Sequence, residues 1–561
     1  MSHTFRCNAF EVVLILTTLF AVPLSLHAGD AKQARARLFE ANNKGNYNNC
    51  GFHIIARYLS SRNSDPSIKS LLQTTPTSDT SILSSSGRFR IFFDTSGVNE
   101  PFLYDSDGKP ISHSDFAFAD SAAKIADYVY NIEVDSLGFP PAVASDSGAG
   151  GGNEYEIYVE SLPTGEYGYT DFDESRPLIN RLNPTYATWM VIRNEFESTY
   201  TKGIAAMEVT IAHEYHHGIQ LGDYGLWPND IWFYELTSTW MEQVVYPQVK
   251  DYYQYLPAFF SNVALPFNAY IPSSYAGFER CVFGIFVQQE YPNVDLMKLI
   301  WQDMAHEPAV PAIEDAFKSI GVNPSYAFQL FAQWNYLAGY RASTAAEYGL
   351  STYPQAANYP SVAIAADGDL TATGVDFFDS ALPLTEHFYQ VNDGPDTIGI
   401  AVVNNNFGAA ISGDTLRSQY TVGISTNDVN CVKQISGGYC MFLSVASYSN
   451  WAIVPFIFGG ALIARNDVVF PQPYNPPHGE LKIPYPFQET KSASLSIYGI
   501  SGQLVDRMIG DQDVQQYLRG KYFVWNGRDS SGKVVNSGVY IYVLSDGSKS
   551  VMGKFAVVRN Q

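Results

Sequence analysis

The run Ile211-Ala212-His213-Glu214-Tyr215-His216-His217 limits what this chain can fold into more than any other stretch. His213 and His217 stand four residues apart with Glu214 after the first, an H-E-x-x-H spacing. On a helix, positions i and i+4 share a face, one turn apart. Two imidazoles can then meet one tetrahedral ion, Zn2+ for this ligand chemistry, from a single rigid element. Glu214 reaches a water on that ion without binding the ion, as a general base must. Ala205 to Ala212 supplies the helical run-in.

A hydrolytic site of this type has a third protein ligand and one open position. Glu235 is the best candidate, 18 positions after His217 on a second helix, Trp232 to Val245. Glu235, Thr239 and Glu242 fall near one face of that helix. His216 is a rival to His217 but abandons the motif's spacing. Just before the motif, Ala187 to Ile192 reads as a strand. It is either an edge strand, on which an extended substrate adds as a further strand, or an interior core strand.

The 561 residues are enough for about three or four domains. A hydrophobic share of 46% supports real cores, and a net charge of -22 excludes the basic footprint that nucleic acid requires. Arg6, the apolar run Val12 to Val22 and Ala28 form a signal peptide over residues 1–28. No transmembrane segment is expected after it, so the chain is exported to the cell surface or beyond. Residues 29–86 read as a pro-region or linker. A basic helical run, Lys32 to Asn43, opens it, and a Ser/Thr/Pro/Asp tract, Ser60 to Ser86, has little to pack.

Strands then helices over 87–345 give an α+β pattern. Short alternating segments from 346 to 467 predict a β-sandwich, and residues 468–561 a second all-β unit. Four cysteines remain after export, in a compartment that permits oxidation. Cys431 and Cys440 bracket a hairpin with a Ser-Gly-Gly turn and are the expected disulfide, leaving Cys50 with Cys281 by elimination.

The helix pair resembles that of the gluzincins, the zinc peptidases typified by thermolysin and the M1-type aminopeptidases. Their third ligand lies in N-E-G-x-A-x-x-x-E, similar to Tyr234 to Glu242. The resemblance implies a thermolysin-like α+β catalytic domain, with zinc on His213, His217 and Glu235. It also implies peptide hydrolysis by a zinc-bound water that Glu214 activates. Tyr234 replaces the Asn, and Leu236-Thr237-Ser238 replaces Gly-x-Ala. Thr239 stands where thermolysin has an aspartate, so the group behind one histidine must differ. Tyr275 is a candidate oxyanion donor, by analogy with the aminopeptidase tyrosine, with a packing role equally open.

Residues 87 to 342 resemble a family of secreted bacterial proteins assigned as metalloproteases, first noticed in myxobacteria. The matching features are Gly87 to Gly97, the H-E-x-x-H helix and Trp232 to Glu242. The last stretch, with Pro473-Tyr474-Asn475-Pro476, Tyr498 to Val505, Trp525 to Asp529 and Ser537 to Tyr540, is similar to flagellar hook-cap-type immunoglobulin-like domains. Such domains imply sorting by type IX-like secretion machinery. The expectation is an exported zinc endopeptidase acting on proteins or peptides. The competing expectation is a non-catalytic surface or adhesion protein whose zinc site is structural or decayed. Hydrolysis of another amide or ester shares the same site.

Overall fold

The computed structural model describes residues 31–559 apart from 43–49, 73, 146–151, 181, 344, 346–349, 394–395, 427–430, 435–439, 446–450, 459–473, 475, 477–479, 486–491, 511–513 and 518–519. The segment expected to be a signal peptide and the Ser-Gly-Gly turn lie outside the described residues. The chain is multidomain α+β, with helices on a mixed sheet followed by antiparallel β-structure.

Three helices come first: α1 (Ala31–Asn42), α2 (Phe52–Ser60) and α3 (Pro66–Leu72). The tract after Ser60 is therefore not a structureless linker. It supplies α3 and the strand β1 (Thr80–Leu83), which pairs with β2 (Phe89–Phe93). The apolar side chains needed for packing are spaced along these short helices. Phe52, Ile55, Leu59 and Leu72 are all fully buried in the main core. At about 1.5–3 kcal/mol for each such burial, they hold the helices onto the body of the molecule.

The main sheet runs β1-β2-β3-β5-β4, with β3 Tyr155–Glu160, β4 Gly168–Phe172 and β5 Thr188–Arg193. β2, β3 and β5 are parallel, while β4 lies antiparallel on β5. Consequently β5, the Ala187–Ile192 stretch, is interior, and β4 is the edge strand beside the motif. Every residue of β5 is buried, which fits a strand covered on both faces. α4 (Asp115–Tyr130) packs on β2 and continues as a wider π turn, Asn131–Ser136.

The motif helix α5 (Gly203–Ile219) lies against β4 and β5, and pairs with α6 (Ile231–Val245). Gly218 lets it approach so closely: a Cβ there would meet the Tyr155 hydroxyl at 2.6 Å and the Ala142 Cβ at 2.9 Å. Later helices at Cys281–Glu290, Leu296–Met304, Ala309–Ser319 and Pro324–Tyr336 complete this core.

Beyond it, two four-stranded sheets face each other. Val391, Ile398, Ile400 and Val402 from one meet Val422, Ile424, Met441 and Leu443 from the other. A second pair of antiparallel sheets holds a separate core around Tyr474, Leu495, Phe523, Trp525 and Phe555. Among the described residues no helix is long and apolar enough to cross a membrane.

Candidate functional site

Helix α5 presents His213 and His217 one turn apart, and α6 brings Glu235 against both. His217 Nε2 lies 3.1 Å from His213 Nε2. Glu235 Oε2 is 3.2 Å from His213 Nε2 and 3.4 Å from His217 Nε2. All three residues are buried. Their ligand atoms, with Cys50 Sγ, lie within 4.8 Å of one another. The three residues singled out for metal binding are thus brought together, with a fourth donor that spacing in the sequence did not suggest.

The outer nitrogens explain how the imidazoles are oriented. Gln220, at the start of the π turn that extends α5, donates from Nε2 to Tyr234 O, Thr237 Oγ1 and Ser238 Oγ, at 3.2, 3.0 and 3.1 Å. Three acceptors around Nε2 fix that amide, so its Oε1 accepts from His217 Nδ1 at 2.7 Å. Glu242 Oε1 accepts from His213 Nδ1 at 2.8 Å. With both protons held on Nδ1, both Nε2 lone pairs point to the centre beside the Glu235 carboxylate.

Such a set of buried donors could hold a cation. Burial alone favours a neutral Glu235, yet His217 and His213 beside it hold its carboxyl well below the usual range. Burial likewise opposes the charged form of His217, but the Glu235 and Glu214 carboxylates outweigh it and raise its pKa. For His213 burial prevails, with His217 and His53 adding to it against the pull of Glu235, and its pKa falls to about 4. Two nitrogens, a carboxylate and a thiol at this spacing fit one small tetrahedral ion of borderline softness.

Thr239, in the place where thermolysin has its aspartate, is buried, and its hydroxyl finds no hydrogen-bond partner among the described residues. The carboxylate behind His213 is instead Glu242, three residues further along α6. It is legible in the motif Tyr234 to Glu242 as a residue but not as a partner. The hydroxyl and amide behind His217, from Ser238 and Gln220, carried no sequence signal. His216 points away from the centre. Its Nδ1 shares a hydrogen bond with Glu133 Oε2 at 2.8 Å on the π turn after α4, and its ring packs on Phe139 and Trp301.

Glu214 leans the other way, toward β4. Its Oε2 accepts from Thr170 Oγ1 at 2.8 Å, and the Cys50 side chain hydrogen-bonds to it. Burial pushes its pKa up to about 7, while His217 and these hydrogen bonds pull against it. A carboxylate poised near neutrality is suited to taking and returning a proton. A small cavity beside it is lined by Cys50, Tyr167, Thr210, His213, Glu242 and Tyr255. Tyr275 is elsewhere, buried under the Arg280 guanidinium, which sits 4.4 Å from its ring centre. Its packing role is the one observed.

The cysteine expectations divide. Cys50 and Cys281 are both free and buried, so the pairing by elimination is overturned. The reason is positional: Cys50 lies at the donor cluster, while Cys281 opens a helix elsewhere in the core. Cys440 is in a disulfide. Its expected partner, Cys431, is described only in its backbone, in a strand paired with that of Cys440.

No protein-family model matches the chain, and no curated protein matches it. Among solved structures it is weakly similar to PorZ, a surface component of the type-IX secretion system of Porphyromonas gingivalis. That match has 16% identity and a TM-score of 0.13, over 31% of this chain and 23% of PorZ. It is also weakly similar to dimeric latent PorU of the same organism, at 15% identity and a TM-score of 0.15, over 33% of this chain and 20% of PorU. The chain therefore spans less than a quarter of either protein, and at these TM-scores the likeness carries no argument.

Proposed function

We propose that this chain is an exported zinc-dependent metallopeptidase of the gluzincin type, with a thermolysin-like arrangement around α5 and α6. The observation that carries the reading is the convergence of His213 Nε2, His217 Nε2 and Glu235 Oε2 beside a separately held Glu214. His213, His217 and Glu235 would hold the zinc. When bound, zinc supplies Lewis acidity, polarising a peptide carbonyl and acidifying a water.

The chain's own residues do the rest. Glu214 accepts the proton of the attacking water and returns it to the leaving amine. Thr170 fixes the rotamer of Glu214 by donating to Oε2. Glu242 and Gln220 keep both Nε2 lone pairs directed inward. The outer edge of β4 offers backbone groups on which an extended peptide can add as a further strand once the Cys50–Gly51 bridge to Gly168 is displaced. The C-terminal β-unit, by its hook-cap-like residues, serves export or surface attachment.

One observation favours the second reading, a structural ion in a non-catalytic surface protein: the cluster has four protein donors, a closed set. The intact Glu214 argues against it, since a structural ion needs no base. Metal analysis of the purified chain tests the site itself. About one equivalent of zinc is expected, with a large loss of affinity in Glu235→Ala. Unchanged zinc binding in that variant contradicts the assignment.

A further inference from the structure

The donor cluster contains a residue from a part of the chain that the peptidase reading does not use. Cys50 precedes α2, inside the segment that leads the catalytic core. Its Sγ shares the 4.8 Å cluster with His213, His217 and Glu235. The backbone N–H of Phe52 donates to that sulfur at 3.3 Å and holds it at the cluster.

The neighbouring residues of the same segment also occupy the site. The Phe52 ring stacks on the His217 imidazole with centres 4.0 Å apart. His53 Nδ1 lies 3.4 Å from Glu235 Oε1. Gly51 N–H donates to Gly168 O at 2.9 Å, and Cys50 bridges Gly168 in parallel. Gly168 begins β4, the edge strand, so this segment sits where an added peptide strand would sit. A Cβ on Gly168 would meet Val191 O at 2.7 Å and Thr210 Cγ2 at 3.0 Å, and glycine keeps this edge close to α5. Further back, Arg35 of α1 reaches Asp171 Oδ2 of the same strand at 3.0 Å, with both side chains buried.

We infer that Cys50 is the fourth protein ligand of the metal. We further infer that α1 to α3 are a latency segment, which closes the metal's open position and covers the substrate edge until it is cut away. This rests on the peptidase reading, and it reconciles a closed donor set with an intact base. The covered state is the precursor, and the open state follows cleavage. The connection from α3 to β1 is suited to cutting: residues 74–79 form no helix or strand, and Thr74, Thr77 and Asp79 are exposed.

The test replaces zinc by Co2+ in the full chain lacking its signal peptide, and reads the visible spectrum before and after proteolysis at 74–79. The expected spectrum shows tetrahedral d–d bands with a thiolate-to-cobalt charge-transfer band. That band disappears in Cys50→Ser and persists in Cys281→Ser. Cleavage that releases 31–72 removes the band while the d–d bands remain, and peptide cleavage rises at least ~100-fold. Cobalt d–d bands without charge transfer overturn the inference and leave the peptidase site standing. A band that survives release of the segment overturns it as well. A chain that takes up no cobalt overturns the peptidase reading and this inference with it. Should Cys50→Ser fail to fold, the loss of the band on cleavage of the natural chain decides the matter.

Discussion

His213 donates from Nδ1 to Glu242 Oε1 at 2.8 Å, joining α5 to α6 about two turns beyond Glu235. The contact fixes the tautomer of His213 and makes its inner nitrogen more basic. Glu242→Gln keeps the shape but exchanges a charged acceptor for a neutral one. The expected result is a zinc affinity ~10–100-fold weaker, by competition with a chromogenic chelator. Equal affinity would show that Glu242 merely fills space.

His216 and His217 are adjacent in sequence and opposite in role. His217→Ala should abolish zinc binding. His216→Ala should leave the zinc stoichiometry intact, while removing the partner of buried Glu133 and the contacts to Phe139 and Trp301. A stability loss of ~1–3 kcal/mol is expected in urea unfolding. Loss of zinc in His216→Ala would mean the wrong imidazole has been assigned.

Arg35 and Asp171 form a buried pair between α1 and the edge strand. Removing one partner of such a pair costs ~3–5 kcal/mol. Arg35→Ala should therefore speed hydrogen exchange in α1 and in Gly168–Phe172, with Arg35→Met less affected because the packing on Tyr169 is retained. Unaltered exchange in both variants would show that α1 is held by its apolar contacts alone.

Glu386 is a pH probe away from the donor cluster. Asn335 Nδ2 donates to both its oxygens, at 3.2 and 3.0 Å. Burial pushes its pKa up to about 8 against that pull. The folded value stands above the unfolded value of ~4.3, so the fold binds this proton more tightly than the unfolded chain does. The stability it contributes is present in full below that unfolded value and is lost as pH rises toward the folded one. The free energy of unfolding should fall by up to ~1.4 kcal/mol per pH unit between roughly pH 5 and 7. Glu386→Gln should flatten that part of the profile. An unchanged slope in the variant would place the titration elsewhere.

The sequence made the centre of the site readable because its parts are local. Two histidines one helical turn apart and a glutamate on the next helix are a matter of spacing. The β-sandwich was readable for a similar reason, since alternation records which face is buried. What stayed hidden depended on distant contacts. The edge strand Gly168–Phe172 begins with a glycine and carries Asp171, residues that weaken a strand signal. Asp171 is tolerated because Arg35 meets it from far away in the chain. Cys50 looked like half of a disulfide because elimination counts cysteines and not positions. Thr239 looked like a gap because the carboxylate behind His213 comes from Glu242, further along the same helix.

The most direct measurement is casein cleavage by the chain after residues 31–72 have been released, compared with Glu214→Ala treated identically, both with zinc content determined. Both should hold zinc, the natural chain should cleave, and the variant should lose cleavage by at least ~100-fold. A processed chain with full zinc that cleaves neither casein nor any member of a peptide library would contradict it.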